Sequence, residues 1–169
     1  APVLAARPDL RIVIPAASPV EAQVREAIKA WPGAPLVIPS EDKVQKRAAF
    51  KAADFALAAS GTVSLELAAA GTPMVIAYDM SWLSRQVIGR MLRVDSVTLV
   101  SLVSETRVVP EFIGANCQPD PIAKALRSAL ELPEAQLAAL DLSMDRLGRG
   151  GEAPGVRAAR AVLEAIEGN

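Results

Sequence analysis

The sequence predicts an α/β fold: a doubly wound parallel sheet with helices on both faces. Three observations predict it. Short apolar runs alternate with helix-length amphipathic segments between residues 10 and 78. Two of those runs, residues 55–59 and 73–78, are apolar throughout, as suits strands buried on both sides. Between them the chain reads strand, glycine turn, short helix, glycine stop, strand.

The elements follow in order. Residues 1–7 are the end of a helix stopped by Pro8, and residues 10–15 are a strand. Residues 19–31 are a helix capped by Ser18, with Val20, Val24, Ala27, Ile28 and Trp31 on one face. Residues 35–38 are a short strand. Residues 40–53 are a helix capped by Ser40, with Val44, Ala48 and Ala52 as its inner stripe. After the strand at 55–59, Ser60-Gly61-Thr62 breaks the run, and Thr62 can cap the helix beyond. Gly71 suits a left-handed helix stop, and Pro73 prevents continuation.

Residues 79–93 form an amphipathic helix with Met80, Leu83, Val87, Ile88, Met91 and Leu92 on its apolar side. Past Asp79, its only charges are Arg85, Arg90 and Arg93. One reading packs it in the core. The other lays it on a membrane surface or against acyl chains, through Met80, Trp82, Leu83 and the arginines. Residues 96–99 read as a last strand, 100–109 as an irregular loop and 110–113 as the start of a short helix. Helices at 119–130 and 133–147 follow, the second with Leu137, Leu140 and Leu147 apolar. Residues 149–155 are a flexible break. The terminal helix, 156–166, aligns Val156, Ala159, Val162, Leu163 and Ile166.

With 169 residues the chain suffices for one domain with a real core, so residues 1–169 are taken as a single unit. It is 51% hydrophobic and 22% charged, with net charge −1, so no basic footprint points to nucleic acid. There is no histidine and one cysteine, Cys117, which excludes an internal disulfide and a cysteine-built zinc site. No run reaches the roughly 18 uncharged apolar residues of a membrane span. No cleavable signal pattern is visible, so a reducing, cytoplasmic location is expected. The missing initiator methionine suggests a fragment.

Without histidine there is no serine–histidine dyad. Glu66, Asp79, Glu105 and Glu111 have no spacing that forces a carboxylate pair. Cys117 reads as a small, buried or semi-buried apolar residue. No cofactor is called for. What remains is a binding site at the carboxyl ends of parallel strands. Ser60-Gly61-Thr62 opens a helix, where free N–H groups and the positive dipole end favour phosphate. Glu66, one turn in, can accept from a ribose diol. An ordinary β-α-β unit with no ligand fits the same pattern.

Ser60-Gly61-Thr62-x-x-Leu65-Glu66-Leu67-Ala68-x-Ala70-Gly71-Thr72-Pro73-Met74-Val75 resembles the signature of lipid-A-disaccharide synthases. More loosely, it resembles the nucleotide-sugar half of other two-domain (GT-B) glycosyltransferases. The resemblance extends to residues 9–15, to Pro110-Glu111 and to Cys117-x-Pro119. It implies the Rossmann-like carboxyl-terminal half of a GT-B enzyme, truncated at its first strand. That family joins a UDP-activated acylated glucosamine donor to a lipid-phosphate glucosamine acceptor, peripherally on the cytoplasmic face of the inner membrane. By this likeness Ser60, Gly61 and Thr62 line the diphosphate, Glu66 holds the ribose and Glu111 shapes the donor site. Ser101 stands where the family usually has asparagine, with one hydroxyl in place of an amide.

The amino-terminal half that carries the family's candidate catalytic acid/base is absent here. The fragment alone is therefore expected to be inactive, with that half as its partner. Two rival readings stand beside this one: another UDP-sugar enzyme of like architecture, such as a cell-wall glucosaminyltransferase or an epimerase, and a non-catalytic Rossmann-like binding module. For the sheet, the missing first strand predicts that the strands at 10–14 and 55–59 either collapse together or flank a gap.

Overall fold

The computed structural model describes residues 2–79 and 96–167. The amphipathic helix expected over 79–93, with Met80, Trp82, Leu83, Arg85, Arg90 and Arg93, lies outside them apart from Asp79. The elements are α1 (Pro2–Ala6), β1 (Val13–Pro15), α2 (Glu21–Ala27), β2 (Leu36–Ile38), α3 (Lys43–Ala52), β3 (Ala56–Ala58) and α4 (Val63–Ala70). Then come β4 (Met74–Tyr78), α5 (Leu99–Ser104), β5 (Glu111–Ile113), α6 (Pro119–Glu131), α7 (Glu134–Arg146) and α8 (Pro154–Glu167).

Among the described residues all strand pairs are parallel. They form two sheets, β1-β2 and β3-β4-β5. In a doubly wound order one more strand would lie between β1 and β3. β1 and β3 instead do not pair with each other, and each is bonded on one side only, β1 to β2 and β3 to β4. Leu57 on β3 is 54% exposed and Val13 on β1 is 42% exposed.

β4 is the centre of the core. Met74, Val75 and Ile76 are 0% exposed. Met74 and Ile76 turn to one face, where they meet Leu67 and Ala68 of α4, Val100 of α5, and Leu140 and Met144 of α7. Val75 turns to the other, against Leu126 and Ala129 of α6, with Val3 of α1 and Phe112 packed alongside. This alternation explains the continuous apolar run: both faces are covered. The Met74 amide donates to Gln136 Oε1 at 2.8 Å. Gln136 is a buried polar residue on α7, and its amide oxygen satisfies the first N–H of the central strand.

Several local expectations are corrected. α3 is capped by Asp42, which accepts from the Gln45 amide at 2.8 Å, not by Ser40. Its inner face is Lys46, Ala49 and Phe50; Val44, Ala48 and Ala52 face water, Val44 at 80% exposure. Ser18 makes no cap. It begins a 3-10 turn (Ser18–Val20) and bonds to the Ser40 hydroxyl. The helical stretch beyond it is broken, with a second 3-10 turn at Ile28–Ala30, and Trp31 is half exposed. Residues 96–98 belong to no strand. The last strand is β5, where a short helix was expected, and α5 occupies the start of the expected loop.

Candidate functional site

The turn between β3 and α4 sits at the carboxyl end of a parallel strand. Gly61 has φ of +132°, a backbone region that side chains rarely adopt, and a Cβ there would meet nothing within 4 Å. Gly61 and Thr62 are exposed. The Ser64 and Leu65 amides are taken up inside the turn by Gly61 O and Thr62 O, so the N–H groups it leaves for a ligand are those of Thr62 and Val63, which find no acceptor among the described residues. Thr62 occupies the cap position, but its side chain makes no capping bond. Ser64 closes the turn instead, donating its hydroxyl to the Gly61 carbonyl at 2.8 Å. At the far end Gly71 takes the left-handed conformation expected of it, with φ of +72°. Its amide bonds to Ala68 O and that of Thr72 to Leu67 O, a Schellman stop that holds α4 to two turns.

Ser60 and Glu111 converge on one short segment. The Ser60 hydroxyl donates to Val97 O at 3.0 Å. One Glu111 oxygen accepts from the Val97 amide at 2.9 Å, and the other from the Ser96 hydroxyl. Ser101 and Thr98, both at most 1% exposed, stand near the same carboxylate, but their hydroxyls have no hydrogen-bond partner among the described residues. Glu111 thus reaches from the start of β5 to fasten residues 96–97, and Val97 in turn holds Ser60 beside the glycine turn. Ser101 belongs to this buried cluster, not to the open surface.

Burial acts to raise the Glu111 pKa, but hydrogen bonds from Ser96 and Val97, helped by Thr98 and Ser101, outweigh it and hold the carboxyl below its ordinary 4.5. A lowered folded value stabilises the fold above the unfolded value and is lost as pH falls through the folded one. Urea midpoints are therefore expected to fall below pH 4.5 more steeply for the wild type than for Glu111→Gln. Equal slopes would mean that the carboxylate contributes nothing as an anion.

Glu66 takes no part in the cluster around Val97. Its carboxylate turns toward α3, where Oε2 lies 2.7 Å from Lys46 Nζ, and its side chain is 44% exposed. Lys46 was not legible as a site residue, because nothing in the local pattern connects it to Glu66, twenty positions on. Cys117 is half-buried. Among the described residues no group of histidine, cysteine and carboxylate side chains could hold a metal ion, and no helix is long and apolar enough to cross a membrane.

The family model for lipid-A-disaccharide synthetase matches residues 4–153. Lipid-A-disaccharide synthase of Ruegeria pomeroyi is 55% identical over 167 residues, covering 95% of this chain and 42% of that protein. The enzymes of the same name from Paramagnetospirillum magneticum and Nitrobacter winogradskyi are 41% and 39% identical, each over 94% of this chain. The chain spans about two fifths of the length of these curated relatives. The glycine turn, the short α4 and its Gly71 stop all fall within the matched stretch, and the chain belongs to the lipid-A-disaccharide synthase family.

Proposed function

We infer that this chain is the nucleotide-sugar-binding part of a lipid-A-disaccharide synthase, a GT-B glycosyltransferase. It would take a UDP-activated acylated glucosamine, for transfer to a lipid-phosphate glucosamine acceptor. The observation that carries this reading is the exposed turn at Ser60-Gly61-Thr62, with Gly61 at φ +132° ahead of α4. Its N–H groups receive the diphosphate, and Glu66, one turn in, accepts from the ribose. Glu111 acts behind this surface, by holding Val97 and hence Ser60, with Ser101 buried nearby. The acyl chains and the cytoplasmic face of the inner membrane are met by residues 80–93, where Met80, Trp82 and Leu83 accompany Arg85, Arg90 and Arg93 without an acid among them.

The test is made on the full natural protein that carries these residues. Calorimetric titration is expected to show UDP binding, and sedimentation to show association with anionic vesicles. Replacing Arg85, Arg90 and Arg93 together by glutamine is expected to weaken the vesicle association and leave UDP affinity intact. Absence of UDP binding would favour a non-catalytic module. A fall in UDP affinity with vesicle binding unchanged would move the arginines into the donor site.

A further inference from the structure

We propose that Lys46 is a positioning residue for the donor site: it holds the Glu66 carboxylate in its ribose-accepting orientation and offsets its charge beside the bound diphosphate. The inference rests on the reading of Glu66 given above. Three observations carry it. The first is the pair itself, at 2.7 Å between Nζ and Oε2. The second is its anchoring. Lys46 lies one turn into α3, its amide bonds to Asp42 O, and its ammonium stands 5.4 Å from the centre of the Phe50 ring. Phe50 packs on the main core, and its carbonyl accepts from the Thr72 hydroxyl at 2.6 Å, which ties α3 to the end of α4. Lys46 is 31% exposed, so this is not a lysine swinging freely in water.

The third is an inverted helix face. α3 turns Lys46 inward to α4 and leaves Val44 80% exposed, against the usual preference for burial. A violation of local patterning of this kind is expected where function constrains a residue. An ion pair this exposed adds little to stability, so packing alone is a weak reason for the arrangement. The chemistry supplies a better one. A carboxylate has about four lone-pair sites, so Glu66 can accept from Lys46 and still serve a diol. An unpaired carboxylate one turn behind a phosphate-binding turn would repel the phosphates; the ammonium cancels that repulsion and fixes one oxygen, leaving the other for the ribose.

The experiment compares UDP with 2′-deoxy-UDP by calorimetric titration of the full natural protein, as wild type, Lys46→Met and Lys46→Arg. The wild type is expected to bind UDP at least tenfold more tightly than the deoxy compound. Lys46→Met is expected to lose most of that ratio, and Lys46→Arg to keep it. Should Lys46→Met fail to fold, Lys46→Gln takes its place. A wild type that discriminates and a Lys46→Met variant that does so equally well would overturn the role of Lys46 and leave Glu66 as the ribose acceptor. A wild type without discrimination would overturn the ribose reading and this proposal together. A change in melting temperature with the ratio unmoved would reduce the pair to an ordinary surface contact.

Discussion

Gly61→Val is expected to lower UDP affinity roughly five- to 150-fold, the equivalent of about 1–3 kcal/mol of backbone strain at this turn. The space in front of Gly61 is open, so the cost does not come from a clash within the chain. It comes from φ of +132°, which a β-branched residue adopts only under strain. The variant must either distort the turn, turning the α4 N–H groups away from the phosphates, or keep it and stand a side chain where the ligand approaches. Gly71→Ala is the control. It also replaces a glycine of positive φ, at +72°, but at the opposite end of α4. It should cost stability and leave UDP affinity near wild type. Equal affinity losses for the two variants would place the effect in helix stability, not in phosphate contact.

How far the site was legible depended on whether a residue's role was local. The turn and its helix were readable because Gly61 and Gly71 each answer a backbone demand within their own few residues. β4 was readable because a strand covered on both faces must be apolar throughout, and Met74, Val75 and Ile76 are. The misread stretch is 96–113. Ser96-Val97-Thr98 has the β-branched look of a strand and is extended in part, yet no neighbouring strand receives it. The side chains of Ser60 and Glu111 do. Glu111-Phe112-Ile113 looked helical behind Pro110, but Pro110 lends its carbonyl to the Ile76 amide and so opens a strand, a place where a proline costs no ladder bond. The inner face of α3 was misjudged for a related reason. Hydrophobic periodicity favoured Val44, Ala48 and Ala52, while α4 presented a carboxylate to be paired. Gln136 was invisible for the same cause: its partner, the Met74 amide, is 62 positions away in the chain.

Leu67→Ala is expected to destabilise residues 1–169 by about 2–5 kcal/mol, the range for a truncated core leucine. Leu67 is 1% exposed and belongs to the cluster that joins α4 to Met74 and Ile76 of β4, Val100 of α5 and Leu140 of α7. Little around it can collapse into the void. The strand at its side is fixed by parallel pairing to both neighbours, and α7 is tied to the same strand through Gln136. A urea series should show a lower midpoint with an unchanged slope, the sign of lost stability and not of an altered unfolded state. Leu57→Ala makes the contrast. The same methyl groups are removed from β3, but Leu57 is 54% exposed, so its loss should stay within roughly 0.5 kcal/mol. Comparable losses for the two leucines would mean that the Leu57 face of β3 is covered. A large difference would place the stability of this sheet in the covered face, where Leu67 of α4 meets Met74 and Ile76.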